Sequence, residues 1–407
     1  MCSAKVGPSS GALDANQFNP THLVADEVYS LLDAVDSESI AADFEIGIHS
    51  KKHDFKSHVK VAIREGLDPS SSLAELEDKT AVDDSLDEMS RSRFSVLTNH
   101  RDYRAVVRLF FALLHTRQLY HQRAVQRKRL EWLLEPVVSL DATNLELTRS
   151  IVVSGDFLGD DDEPYEIDPA DGGVRLHLAA RVDGEHKHPL GATVTEGDSH
   201  ESPQFDDLRD DVEVFADLDS VILTFDRGYT KYTRYCEIKR SDDDFVTLLE
   251  SDANVDVIER LEEYHVTTES VEDESTDQEQ THHVRDELIE LSDTGEEFRR
   301  IALQTPDGEE LEYLTTLSPE EYTPVEIVSI YTLRTLIEIL FRELKQYLNI
   351  ENFHSKSLNG VLFELFCALI GYVLVEWLRH RHPVKGGVAR AIQKVRTHWN
   401  QTLDSFG

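Results

Sequence analysis

Two aspartates each end a short apolar segment that we predict to be a buried strand. Asp141 ends the segment 136–141, and Asp226 ends the segment 220–226. An acid at the carboxyl end of a buried strand lies where open α/β sheets bind their ligands. The alternative is that each carboxylate only caps the helix that follows its strand.

A third acid, Glu338, lies in the segment 325–348, whose apolar spacing predicts a helix. At about 100° per residue, Glu338 falls on a polar stripe roughly 80° wide. The other members of this stripe are Tyr331, Arg334, Arg342 and Lys345. The opposite face is apolar and is expected to pack on a sheet. The alternative is a solvated ladder of ion pairs, because Arg334 and Glu338 are four residues apart.

The spacing Tyr331-x2-Arg334-x3-Glu338-x6-Lys345 resembles the Y-R-E-K signature of DDE transposases of the large insertion-sequence family that is named with the number four. Other segments resemble motifs of the same family and follow in the expected order. They are Asp141-Ala-Thr143, Arg175-Leu-His177, Thr195-x-Gly197-x-x-His200-Glu201, Phe225-Asp226-Arg-Gly228-Tyr229 and the segment 353–360. Glu201 stands where aspartate is more usual. The resemblance covers about residues 100–380.

The resemblance implies an α/β fold with an RNase H-like catalytic core, in which a mixed sheet with flanking helices is interrupted by a β-rich insertion. A helical N-terminal region, 1–135, is expected to recognise terminal-repeat DNA. The core is expected at 136–253 and 321–407, and the insertion at 254–320. The residue pattern agrees, since helical periodicity precedes Pro136 and alternating, strand-like segments run from about 254 to 317.

By the same resemblance, Asp141, Asp226 and Glu338 are the catalytic residues and bind two Mg²⁺ (or Mn²⁺) ions. Such a pair of ions, about 3.5–4 Å apart, neutralises charge on the attacking and leaving oxygens of a phosphodiester. Magnesium prefers carboxylate oxygens, so three acids suffice as protein ligands.

The other residues of the stripe are expected to meet DNA. By resemblance, Tyr331, Arg334 and Lys345 contact the DNA end. Arg342 shares their stripe but lies outside the motif.

The implied activity is cut-and-paste transposition, in which a freed 3′-hydroxyl at the transposon end attacks target DNA. The implied partners are inverted-repeat DNA, target DNA and a second copy of the chain in a synaptic homodimer. Two alternatives remain: an RNase H-like nuclease without strand transfer, and a degenerate transposase that binds DNA but does not cut. A flipped base would need an aromatic partner, for which Tyr264, Tyr313 and Tyr322 are the candidates.

The chain of 407 residues has 41 Lys and Arg against 79 Asp and Glu, a formal net charge of −38. Abundant acids with few lysines are typical of a salt-loaded cytoplasm, as in a halophilic archaeon, where self-repulsion is screened. A merely acidic mesophilic protein is the alternative. Two islands, 101–149 and 331–407, are nevertheless net positive. They contain the first and last of the three acids.

The N-terminus has no apolar signal segment, so we expect a cytoplasmic, nucleoid-associated protein. The apolar stretch 361–378 contains two glutamates, which favours a buried core helix over a membrane span. The three cysteines are far apart and predict neither disulfides nor a zinc cluster. Three histidine pairs, 53/58, 282/283 and 380/382, lack zinc-like partners and are predicted to be solvated.

Overall fold

The computed structural model describes residues 22–47, 53–121, 133, 135–147, 173–183, 186–197, 199–216, 220–269, 279–305, 308–348, 350–382, 384 and 386–403. Within these residues, six helices precede the first strand: α1 (Val24–Asp33), α2 (Ser37–Asp43), α3 (Phe55–Leu67), α4 (Leu73–Val82), α5 (Arg91–His100) and α6 (Arg104–His121). The strands are β1 (Val137–Leu145), β2 (Val174–Asp183), β3 (His186–Glu196), β4 (Ile222–Phe225), β5 (Asp244–Leu248), β6 (Val255–Glu269), β7 (Glu279–Leu291), β8 (Glu296–Gln304) and β9 (Glu310–Thr315). The later helices are α7 (Gln204–Ala216), α8 (Tyr232–Lys239), α9 (Pro324–Thr332), α10 (Thr335–Tyr347), α11 (Leu358–Arg381) and α12 (Val388–His398).

All nine of these strands belong to one mixed sheet, in the order β3-β2-β1-β4-β5-β9-β8-β7-β6. Strands β1, β2 and β3 form an antiparallel meander, while β4 and β5 run parallel to β1. Residues 137–141 of β1 and all of β4 are buried on both faces, as expected for strands covered by helices. This mixed α/β architecture is consistent with the RNase H-like core that the resemblance implies.

The residues predicted to form an insertion do fold as strands, β6 to β9. These strands do not form a separate layer, because β9 pairs with β5 and continues the same sheet. Buried ion pairs join β7 to β8: Arg299 contacts Asp286 at 2.8 Å, and Arg300 contacts Glu287. Strand β6 runs unbroken from Val255 to Glu269, with two irregularities in its pairing with β7.

The helical layer is organised around α11. This helix is long and apolar enough to cross a membrane, yet 94% of its most apolar 18-residue stretch is buried inside the protein. It packs against α3, α5 and α6, so the N-terminal helices and the C-terminal half of the chain share one hydrophobic core. The sequence pattern therefore identified a core helix correctly.

A polar segment fastens α11 to the N-terminal helices. The amide nitrogen of Asn359 donates to the carbonyl oxygens of Thr98 and Arg101, at 3.1 and 2.8 Å. The hydroxyls of Ser355 and Ser357 both donate to the Asn99 side chain at 2.6 Å. These bonds lie at the junction of α5 and α6, immediately before α6 begins at Arg104. The basic residues 123–129 lie outside the described residues.

Gly173 and Gly308 test how tightly β1 and β2 are joined. Both have a φ of +90°, but a Cβ on Gly173 would lie 2.1 Å from the Leu145 carbonyl oxygen, whereas one on Gly308 would meet no atom of the described residues within 4 Å. Each Gly→Ala change costs about 1 kcal/mol of backbone strain. We expect Gly173→Ala to cost a further 1–3 kcal/mol, about what overpacking costs. Urea unfolding of both variants measures the difference; equal losses would contradict the close approach.

His58 is fully buried rather than solvated as predicted. Its ring stacks on Phe363 at 4.5 Å and its Nε2 lies 3.0 Å from the Thr98 hydroxyl. Burial, followed by the nearby Arg101, holds the pKa of His58 well below its ordinary value.

Because the unfolded chain binds a proton at His58 below about pH 6.5 and the folded chain does not, acid destabilises the parent. We expect His58→Gln to reduce this loss by up to about 1.4 kcal/mol per pH unit below pH 6.5. Denaturant unfolding at several pH values measures the slope. His115→Gln, an exposed control on α6, should keep the parental slope; an unchanged slope in His58→Gln would refute the assignment.

Candidate active site

The pairing of β1 with β4 places Asp141 beside Asp226. The two strands are parallel and their last paired residues are Leu140 and Phe225, so both aspartates follow directly after the ladder. Adjacent strands are about 4.8 Å apart, which brings the two carboxylates into one centre. The prediction that Asp141 ends its strand is wrong, because β1 continues to Leu145 along β2.

Asp226 directly follows β4 and caps the start of a single 3-10 turn, Arg227–Tyr229. Its Oδ1 accepts a hydrogen bond from the Gly228 backbone N–H at 2.7 Å. The capping alternative is therefore true of one carboxylate oxygen. Oδ2 accepts no hydrogen bond from the residues that the structure describes, and is available to a ligand.

Arg334 joins the first and third acids. Its Nη1 lies 3.3 Å from Asp141 Oδ2, and its Nη2 lies 2.6 Å from Glu338 Oε1. Burial opposes the charge of Arg334, but Tyr331 and the three acids outweigh it and raise its pKa. The guanidinium thus stays protonated and holds the two carboxylates on either side of it.

The helix predicted from 325 to 348 is two helices, α9 and α10, with Leu333 and Arg334 between them. Across this junction the backbone bonds span three residues instead of four, for example from the Arg334 N–H to the Tyr331 carbonyl. A tighter 3-10 turn inside a helix often marks a functional site. Here the turn still leaves Arg334 and Glu338 in contact, so the predicted polar stripe survives the break.

A groove of about 510 Å³ runs along α10 beside the acids. Its lining consists of Asp141, Ala142, Thr143, Glu338, Phe341, Arg342, Lys345, Gln346 and Glu351. The Lys345 ammonium donates to the Asn144 carbonyl at 2.8 Å and lies 3.2 Å from Glu351. Arg342 is exposed and has no ionic partner among the described residues. Two of the predicted DNA contacts therefore lie in the same groove as two of the acids.

Tyr331 is half-buried and packs edge-on against Tyr313, with ring centroids 5.4 Å apart. Tyr313 and Tyr322 are core residues, 5% and 6% exposed, so neither can stack on a flipped base as suggested from the sequence. Tyr264 is half-buried on β6 and remains a candidate.

Glu201 is a fourth carboxylate in this centre, and the sequence reasoning did not assign it a role there. A Cβ on Gly228 would lie 2.4 Å from Glu201 Oε2 and 3.0 Å from Asp226 Oδ1, so glycine at 228 is what admits Glu201. Arg175, on β2, lies 3.4 Å from Glu201. The sequence signal for Glu201 was the segment 195–201, which resembles a motif of the transposase family.

Burial raises the pKa of Asp141 to about 7. The neighbouring Asp226 and Glu201 carboxylates add to this shift, while the Ala142 N–H and Arg334 oppose it. Burial and Asp226 likewise raise the pKa of Glu201. Four carboxylates, Asp141, Asp226, Glu338 and Glu201, thus share two guanidiniums, those of Arg334 and Arg175, so negative charge is in excess.

The Tyr229 hydroxyl is a second sign of an unsatisfied centre. It is fully buried, has no hydrogen-bond partner among the described residues, and its pKa is raised by burial and by Glu201, Asp141 and Asp226. Carboxylate oxygens without histidine or cysteine are the ligands that hard divalent cations prefer. The donor set thus fits Mg²⁺ or Mn²⁺.

Comparison with known proteins shows the family of the chain. A family model described as the transposase DDE domain matches residues 132–374. A protein of Geobacillus stearothermophilus, named as a transposase for the insertion sequence element IS5377, is 27% identical over 215 residues, 53% of this chain and 51% of that protein. A protein of Sinorhizobium fredii named as a transposase, y4zB, is 28% identical over 158 residues, 37% of this chain and 40% of that protein.

The aligned part of the chain thus spans about half the length of these curated relatives, or less. The family match itself covers more than half of the chain and includes Asp141, Asp226 and Glu338. The chain belongs to the family of proteins that carry a transposase DDE domain.

Proposed function

We propose that the protein is a DNA transposase that cleaves at the ends of its element and joins the freed ends to target DNA. The observation that carries this proposal is the Arg334 bridge between Asp141 and Glu338 beside Asp226. Three acids from distant parts of the chain come together, and two of them, Asp141 and Glu338, line an open groove where a phosphodiester can enter.

Asp141, Asp226 and Glu338 are the residues that would hold the Mg²⁺ or Mn²⁺ ions. Bound there, the ions would supply Lewis-acid stabilisation of charge on the reacting phosphate. The protein's own part is to hold the carboxylates in place. The sheet fixes the two aspartates, and Arg334 sets Glu338 against Asp141.

The cations of α10 are proposed to position the DNA end. Lys345 is held at the far side of the groove by the Asn144 carbonyl, and Arg342 is exposed one turn before it. Phosphate contacts of this kind fix register without reading bases. Tyr331 packs on the N-terminal side of Arg334 and supplies an aromatic edge near the same centre.

The partners are proposed in the same way. Terminal-repeat DNA is assigned to the helical region 1–135, because the net-positive segment 101–149 lies partly within it. Simultaneous action on two ends needs two active sites, so we propose a homodimer on DNA. A nuclease without strand transfer would use the same three acids, and only the fate of the 3′-hydroxyl separates the two.

Neutralising each of the three acids tests their role in cleavage. We expect Asp141→Asn, Asp226→Asn and Glu338→Gln each to slow cleavage of a labelled terminal-repeat duplex by ~10³-fold or more, because several kcal/mol of charge stabilisation are lost. The assay contains Mg²⁺, molar salt and a target duplex. Glu259→Gln, exposed on β6, is the matched control and should cleave like the parent.

The products distinguish the alternatives. Cleavage followed by joining supports a transposase, cleavage without joining supports a nuclease, and binding without cleavage supports a degenerate copy. If Asp141→Asn cut as fast as the parent, the acid centre would not be the active site.

Replacing Arg334 by lysine tests its bridge between Asp141 and Glu338. Lysine cannot reach Asp141 and Glu338 at once, because it lacks the planar fork of arginine. We expect Arg334→Lys to lose one charge-assisted bond and to slow cleavage by about 10- to 100-fold. The control is Arg240→Lys, directly after α8, which alters an exposed ion pair with Glu296 of β8. Equal rates in both variants would exclude the bridge as a positioning device.

A further inference from the structure

A second cluster of metal-ligand side chains lies away from the acid centre. His188 is on β3, the edge strand of the sheet, and Glu376 and His380 are one turn apart on α11. Residues four apart on a helix project from the same face, so both side chains of α11 point toward the strand. The cluster spans the interface between the sheet and the helical layer.

The candidate ligand atoms lie nearly as close to one another as the ligand atoms around a bound metal ion. His188 Nδ1 lies 3.6 Å from Glu376 Oε2, and His380 Nε2 lies 3.7 Å from the same oxygen. One ligand atom from each residue lies within 4.8 Å of the other two. Around tetrahedral Zn²⁺, with bonds of about 2.0–2.1 Å, ligand atoms are about 3.3 Å apart. Small side-chain movements would therefore complete the geometry.

We propose that His188, Glu376 and His380 form a binding site for a divalent transition-metal ion, with Zn²⁺ as its natural occupant. Two imidazoles and one carboxylate suit Zn²⁺ better than Mg²⁺, which prefers oxygen ligands and water. The site is thus chemically distinct from the all-carboxylate centre. Its role is to clamp the edge of the sheet to the central helix.

The surrounding charges are compatible with this assignment. Arg379 donates to Glu376 Oε1 at 3.0 Å and to Oε2 at 3.3 Å. Its shorter bond is to the oxygen that faces away from the histidines. Ligating carboxylates are commonly held by such an outer partner. Lys187 and Glu343 pair with each other at 3.1 Å nearby and cancel in charge.

The exposures also suit a bound ion. Glu376 is fully buried, while the side chains of His188 and His380 are 12% and 23% exposed. A buried carboxylate fixes the ion in the interior, and the partly exposed imidazoles leave room for a water as fourth ligand. Three protein ligands with one open position are a common arrangement for zinc.

The test is a ZnCl₂ titration of the full, chelator-stripped chain in molar salt with excess MgCl₂, which keeps the acid centre occupied. We expect one equivalent of Zn²⁺ to bind, by isothermal titration calorimetry. Both His188→Gln and His380→Gln should weaken binding by about tenfold or more. Asp141→Asn, and His382→Gln at the end of the same helix, should bind Zn²⁺ like the parent.

Two measurements on the parent make the test independent of variant folding. Co²⁺ in place of Zn²⁺ should give the visible absorption of a four-coordinate site with nitrogen ligands, and Zn²⁺, but not Mg²⁺, should raise the melting temperature. The proposal is overturned if the parent takes up no Zn²⁺, if both histidine variants bind it unchanged, or if Asp141→Asn abolishes uptake.

Discussion

The mutual repulsion of clustered carboxylates is the constraint on which the site depends. Two unit charges 4 Å apart repel by about 4 kcal/mol at an effective dielectric of about 20. The Arg334 guanidinium offsets this by contacting Asp141 and Glu338 at once. The offset is incomplete, because Asp226 and Glu201 add two further carboxylates; burial, together with these neighbours, raises the pKa of Asp141. A centre left short of positive charge in this way is suited to taking up a divalent cation.

The sheet provides the rigidity that such a centre requires. Asp141 and Asp226 are placed by a parallel ladder whose last pair is Leu140 and Phe225, so neither aspartate depends on a long loop. The pairing continues beyond β5 into β9, which extends the support on one side. On the other side α10 packs against β1 to β3, and its apolar face joins the core around α11. A functional group on packed elements is held more exactly than one on loops.

Periodic segments made the three acids candidates in the sequence, and the resemblance to DDE transposases selected them as the predicted catalytic residues. Apolar runs locate the strands, and the helical stripe locates Glu338 and Arg334. Periodicity could not place Glu201 in the centre, because it lies beside Asp226 only since residue 228 is a glycine, which has no Cβ. The 3-10 turn before α10 was missed because residues 333 and 334 have good helix propensity. The joining of β6–β9 to the main sheet is a long-range pairing, which local pattern does not encode.

The charge of the groove, rather than the net charge of −38, decides whether DNA can bind beside the acids. The groove is lined by three carboxylates, Asp141, Glu338 and Glu351, and by two cations, Arg342 and Lys345. Protein side chains alone therefore leave it slightly negative and unattractive to phosphate. Divalent cations held by the acids would reverse that sign at the place where the backbone must bind. High salt weakens ordinary phosphate contacts steeply, so on our proposal DNA affinity at this groove is tied to metal occupancy rather than to bulk charge.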